Sequence, residues 1–231
     1  MPEADLTTAI SFFNKDNFCS LCDRLSGDDV DLRLIIQTHG YPPMWTRTNS
    51  FETLIQIILE QQVSLQSAKA AFLKLNQKLG HITPQGLLTL SDEEMRECYF
   101  SRQKTRYARD LAETILSGRL DLEKLSTGSD DDIRKVLKQV KGIGEWTADI
   151  YLLFALQRTD VFPVGDLAMI NALKEIKKLK KDISRENIIG VASKWRPYRS
   201  VATMLLWHHY LQTRALNTKE KSRYQECKNK K

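Results

Sequence analysis

Apolar residues recur along the chain three and four positions apart, while alternation at every second residue is nearly absent. That spacing predicts helices, and local signals mark their ends. Asn49 with Glu52 predicts a capping box ahead of Phe51, Leu54, Ile55 and Ile58, which share one helical face. Ser64 predicts the cap of a following helix that stops at Gly80. Ser91 with Glu94 forms a second capping box. A helix from Arg102 to Ser117 is expected to stop at Gly118, and Ser129 with Asp132 opens another. Ser184 predicts one more cap, and the stretch after Pro197 reads helical to about Arg214. The count comes to about nine or ten helices, many short, with no solenoid repeat. The expected fold class is all-α. Residues 1–40 carry no clear signal in either direction.

Composition narrows the setting. A chain of 231 residues suits one large domain or two small ones sharing an interface. Hydrophobic content of 42% is ordinary for a globular protein, and no apolar run approaches bilayer length, so no membrane partner is expected. The start, Met1-Pro2-Glu3-Ala4-Asp5, is acidic and lacks the basic-then-apolar order of a secretory signal. A net charge of +6 favours a polyanionic partner, with a solvated basic surface as the alternative. Lys174, Lys177, Lys178, Lys180 and Lys181 read as a helix end and its loop, and the basic stretch from Lys219 to Lys231 as a disordered tail. Cys19, Cys22, Cys98 and Cys227 are too scattered for a disulfide framework. Cys19 and Cys22 form a C-x-x-C without a second ligand pair, and Phe18–Cys22 reads as part of a buried helix face. No metal site built from side chains is expected, and the adjacent His208 and His209 diverge on a helix.

The most informative stretch runs from Asp131 to Ile150. It reads as a helix, a tight Val140-Lys141-Gly142-Ile143-Gly144 turn, and a second helix. Two glycines around one apolar residue allow positive φ and close approach to another surface. Amide N–H groups at the start of the second helix then point outward, where they suit a phosphate. Such contacts hold a nucleic-acid backbone without reading bases. An ordinary helix-turn-helix packing unit is the alternative.

With its flanking segments, this hairpin resembles the helix-hairpin-helix DNA glycosylases, in particular the 3-methyladenine DNA glycosylase II (AlkA-type) branch. The residues that carry the likeness are Gly142-Ile143-Gly144-Glu145-Trp146-Thr147-Ala148, followed by Asp160-Val161-Phe162-Pro163-Val164-Gly165-Asp166. Glu60-Gln61-Gln62-Val63-Ser64 lies upstream, and Trp195-Arg196-Pro197-Tyr198-Arg199-Ser200-Val201-Ala202 with Trp207 lies downstream. The similarity covers about residues 41–211.

The resemblance implies a compact two-lobed helical core with a DNA-binding cleft between the lobes. Residues 41–128 would form the first lobe and 129–215 a hairpin-containing lobe, with 1–40 packing on the latter and 216–231 as a basic tail. It implies excision of alkylated purines, of the 3-methyladenine or 7-methylguanine type, from double-stranded DNA by a monomer. Asp166 matches the aspartate that stabilises the positive sugar or aids the attacking water; read alone, it caps a helix beginning at Leu167. Trp146 and Trp207 match aromatic pocket positions, with a core role as the alternative for each. Ile150 stands where the family has a Tyr-rich pocket wall. Lys141, Gly142, Ile143, Gly144 and Thr147 belong to the DNA-binding hairpin, Gln62 takes the wedge position and Ser64 sits beside it. Trp146 replaces the lysine nucleophile of strand-cleaving relatives, so hydrolysis without lyase activity is implied. The clustered cysteines of an iron–sulfur branch are missing. No organic cofactor is implied, though a monovalent cation (Na⁺ or K⁺) at the carbonyls of Val140 and Ile143 fits the family. Location would follow DNA: cytoplasm and nucleoid in a prokaryote, nucleus in a eukaryote. Two other readings stay open: a glycosylase for oxidised or deaminated purines, and a non-catalytic DNA-binding module.

Overall fold

The computed structural model describes residues 10–228; the acidic start and residues 229–231 of the basic tail lie outside them. The described residues form thirteen α-helices. They are α1 (Phe18–Asp28), α2 (Val30–His39), α3 (Phe51–Glu60), α4 (Leu65–Leu79), α5 (Pro84–Leu88), α6 (Asp92–Glu97) and α7 (Arg102–Leu116). After these come α8 (Leu122–Ser126), α9 (Asp130–Leu137), α10 (Glu145–Phe154), α11 (Leu167–Ile176), α12 (Arg185–Ala192) and α13 (Arg199–Lys228). A 3₁₀ turn covers Ser193–Trp195, and one isolated bridge pairs Phe12 with Arg158. The all-α expectation holds. The helix count exceeds nine or ten because α5, α6 and α8 are five or six residues long, too short to show an apolar period.

The caps follow local chemistry. Ser64, Ser91, Ser129 and Ser184 each accept an amide three residues on, and Ser91 with Glu94 completes its box. One cap differs from expectation: Ser50, not Asn49, caps α3 through the Thr53 amide. Asn49 is used elsewhere. Its amide donates to the Leu122 carbonyl at 2.9 Å, and its carbonyl accepts the buried Tyr151 hydroxyl.

Two compact units divide the chain: residues 46–157 form one, and residues 1–45 with 158–231 the other. This differs from the expected lobes, because 129–157 groups with 46–128. The reason is packing and polar bonding: α10 lies on α3 and α9, and Gln61 binds the hairpin directly. In the 46–157 unit, α3 and α10 are apolar on nearly every side, with Leu54, Ile55, Ile57 and Ile58 fully buried beside Ala148 to Leu153. Arg134 on α9 bonds Asp149 on α10 at 2.8 Å, pairing the two hairpin helices.

In the other unit, α13 packs on α11, α2 and α1, burying Val201 to Leu206. Its helix continues past Arg214 to Lys228, so the expected disordered tail is helical through that residue. Cys22 is buried on α1 as expected, while Cys19 is exposed. Lys177 leaves the solvated lysine cluster and bonds both Asp29 carboxylate oxygens, at 2.6 and 2.7 Å. Asp29 also caps α2 and accepts the Trp195 indole N–H at 2.8 Å. Burial disfavours its charge, but bonds from Lys177, Trp195 and the Leu32 amide outweigh that and hold its pKa below the ordinary value. A depressed carboxylate contributes stability above its unfolded pKa and loses it as pH falls through the folded value. Thermal melts on the acid side should therefore fall more steeply for wild type than for Asp29→Asn. Parallel acid limbs would remove Asp29 from that role.

Candidate functional site

The candidate residues fall into two groups, one in each unit. In the 46–157 unit the hairpin joins α9 to α10. Gly142 takes φ 88, and a Cβ there would lie 2.1 Å from Cγ of Tyr107. The backbone rests on that ring, so only glycine fits. Gly144 departs from expectation: it is extended, at φ −100, with open space around its Cα. As the N-cap of α10 it has no side chain to accept from the first turn. Lys141 is exposed, and its amide is fixed by Asp110 Oδ2 at 2.8 Å. The Val140 carbonyl accepts the Ile143 amide at 3.1 Å, and Ile143 turns its side chain inward.

Sequence reasoning gives Gln61 no role of its own, although it stands within the Glu60–Ser64 segment. Its Nε2 donates to the Gly142 carbonyl at 2.9 Å and to Thr147 Oγ1 at 2.8 Å. Thr147 is buried, so its side chain braces the hairpin and does not face a ligand. Glu60 is likewise structural, paired through both oxygens with Arg47 at 3.0 and 2.7 Å. Gln62, next in line, is exposed and left-handed at φ 55. A non-glycine residue in that region is held there by its surroundings, and here it projects from the α3–α4 turn. Ser64 is exposed and spends its hydroxyl capping α4 at the Ser67 amide, 3.1 Å away. Trp146, in the first turn of α10, is half-buried. Ile150, one turn further, is only 2% exposed and offers no surface for a base, so its place in a pocket wall is not supported.

The second group surrounds Asp166. Its Oδ1 accepts the Met169 amide at 2.8 Å, capping α11, and the Trp207 indole N–H at 3.0 Å. Of the two roles weighed for Asp166, the cap is formed, and the same oxygen is also held by an aromatic N–H. Trp207 is 9% exposed and acts as a donor to the carboxylate, with little ring face open. The segment leading to Asp166 is laced to the start of α13. Arg199 grips Asp160 through Oδ1 at 2.7 Å and Oδ2 at 2.9 Å, and Ser200 Oγ accepts the Val161 amide at 2.8 Å. Ser200 and Trp207 are seven residues apart, close to two helical turns, so one face of α13 holds both ends of the segment. His208 and His209 turn to α2 instead: His208 Nε2 lies 3.1 Å from the His39 carbonyl, and His209 Nδ1 3.3 Å from His39 Nε2. No group of three metal-ligating side chains occurs among the described residues.

An amide-rich helix-hairpin-helix and a rigidly oriented carboxylate together define a class that handles DNA backbone and carries one acidic group. Residues 55–197 match the model of the HhH-GPD superfamily base excision DNA repair proteins, and the chain belongs to that family. It is 30% identical to DNA-3-methyladenine glycosylase 1 of Schizosaccharomyces pombe over 79% of this chain and 83% of that protein. The solved S. pombe 3-methyladenine DNA glycosylase in complex with abasic DNA superposes with a TM-score of 0.76 at 28% identity, covering 81% and 95% of the two chains. A Bacillus halodurans DNA-3-methyladenine glycosidase gives 0.71 at 30% identity, covering 87% and 93%. The chain spans 65% of the length of a Bacillus subtilis relative to which it is 28% identical over 77% of itself.

Proposed function

We propose that this protein is a DNA glycosylase that flips an alkylated purine out of duplex DNA and hydrolyses its N-glycosidic bond. The observation that carries the reading is Asp166 Oδ1 fixed at once by the Met169 amide and the Trp207 indole. A purine alkylated at N3 or N7 is positively charged. When its C1′–N bond breaks, the electron pair neutralises the base, so no acid is required. The sugar is left electron-poor, and a preoriented carboxylate stabilises it while water adds to C1′ and gives up a proton. One such group is enough. Base extrusion costs about a few kcal/mol, and less at damaged sites, which aids selection. The half-buried Trp146 suits a cationic base by stacking and cation–π attraction, worth about 0.5–2 kcal/mol.

The hairpin amides and Lys141 would hold DNA phosphate, with Gln62 filling the gap left by the extruded base. A monovalent cation would fit the hairpin's backbone carbonyls at Val140 and Ile143, since neutral carbonyl oxygens suit a single charge. The protein would act as a monomer, wherever cellular DNA is held. A purely DNA-binding module has no use for an oriented carboxylate, which repels the polyanion.

Single-turnover incubation with methylated duplex should release free 3-methyladenine or 7-methylguanine. Borohydride should trap no protein–DNA adduct, because Trp146 stands in place of a lysine nucleophile. Release of only oxidised or deaminated bases would move the substrate class, and no release of any base would leave the binding-module reading.

A further inference from the structure

The turn that closes α6 holds a residue whose backbone resists it. The Cys98 amide bonds the Glu94 carbonyl at 3.2 Å and the Phe100 amide reaches back to the Met95 carbonyl at 3.1 Å, with Tyr99 between them at φ 63. Glycine is usual at that place in such a cap, because a Cβ crowds its own carbonyl. A bulky aromatic there is an outlier. Packing does not compensate the strain, since Tyr99 is 61% exposed. Strain kept at an exposed position points towards use.

The setting suggests the use. Tyr99 and Val63, both exposed, line a cavity of about 330 Å³ within the 46–157 unit together with the buried Ala68 and Ala71. Val63 directly follows the left-handed, exposed Gln62. One cation reaches the cavity, Lys104, whose Nζ donates to the Leu59 carbonyl at 2.6 Å. An aromatic ring, an isopropyl group and an ammonium lining one cavity suit a flat ring that carries acceptors on its edge. That description fits a nucleobase. A phosphate would want exposed cations and amides in place of the alanine methyl groups.

We propose that the groove between Tyr99 and Val63 receives the nucleobase left unpaired across from the flipped nucleotide, stacked on the Tyr99 ring. This rests on the glycosylase reading. Once its partner is extruded, that base has lost its pairing and is the cheapest remaining base to unstack. It also lies beside the gap assigned to Gln62, and so within reach of the next residue, Val63. Aromatic platforms of this kind hold bases without reading their sequence.

Glycine substitution separates ring from fold, because Tyr99→Gly deletes the stacking face and relieves the positive φ. The probe is a duplex with a tetrahydrofuran abasic analogue opposite 2-aminopurine. Wild type should change the 2-aminopurine emission on binding. Tyr99→Gly should melt no lower than wild type, lose the emission change and bind about tenfold more weakly, as the loss of one base stack predicts. Tyr99→Phe should behave as wild type. If Tyr99→Gly melts lower, Tyr99→Asn, which also tolerates left-handed backbone, is read by the same two signals. Wild-type affinity and emission change in the ring-deleted protein would overturn the proposal. Failure of the glycosylase reading would look different: wild type would release no base and would not prefer the abasic duplex.

Discussion

Asp166→Asn should slow base release from methylated DNA by about 10²–10³-fold under single-turnover conditions, with the fold intact. The substitution is a clean one, because asparagine is as good an N-cap as aspartate and its carbonyl can still accept the Met169 amide at 2.8 Å. The charge is removed, and Oδ2 becomes an NH2 donor, while the capping oxygen is kept. Binding of undamaged duplex should be unchanged or slightly tighter, since a negative group that repels phosphate is gone. Trp207→Phe tests the same carboxylate from its other side. It keeps an aromatic in the buried site but deletes the indole N–H that reaches Oδ1 at 3.0 Å. A hydrogen bond to a charged group contributes about 1.5–3 kcal/mol, so release should fall by roughly tenfold or more while the asparagine variant is insensitive to the same change. Release of 3-methyladenine at the wild-type rate by Asp166→Asn would remove Asp166 from the chemistry and leave it as a helix cap.

Much of this geometry is legible in the amino-acid sequence wherever the interacting residues lie close together along the chain. Serine caps bond an amide three residues on, so Ser64, Ser91, Ser129 and Ser184 announce their helices locally. Asn49 misleads because its partners, Leu122 and Tyr151, lie 73 and 102 residues away; with its side chain so engaged, neighbouring Ser50 takes the cap. The division into units differs from the expected lobe boundary for the same reason. Gln61 reaches Gly142 across 81 residues, and no local pattern announces that bond. The sequence marks Gly142 as a glycine position but not the Tyr107 ring that requires it. Tyr99 carries no local signal, since an aromatic after a short helix gives no hint of positive φ. At Asp166 the cap is local, whereas its Trp207 partner sits 41 residues downstream on α13. Family likeness brings Trp207 into the site, but as a stacking ring; as a hydrogen-bond donor it emerges only from the fold.

Gly142→Ala should do the most damage to the hairpin. Its backbone sits at φ 88, where a Cβ is strained by about 1–3 kcal/mol, and that Cβ would meet the Tyr107 ring at 2.1 Å. Overpacking of that kind adds about 1–3 kcal/mol unless the ring can leave. Together these should lower Tm by roughly 5–15 °C for a chain of this size. The same displacement shifts the Gly142 carbonyl away from Gln61 and the neighbouring Lys141 away from Asp110, so the turn loses two tethers that position its amides. DNA affinity should drop across all sequences, and the salt dependence should flatten by about one phosphate contact. Gly144→Ala is the control: two positions on, with ordinary φ and open space, it should cost under about 0.5 kcal/mol. Tyr107→Ala in the Gly142→Ala background should recover the steric part of the loss but not the backbone part, which a double-mutant cycle separates. If Gly142→Ala melts and binds duplex as wild type does, the close contact at the hairpin is not what holds the turn. Equal loss at Gly142 and Gly144 would instead mean that the turn needs flexibility at both positions, and not the single close approach to Tyr107.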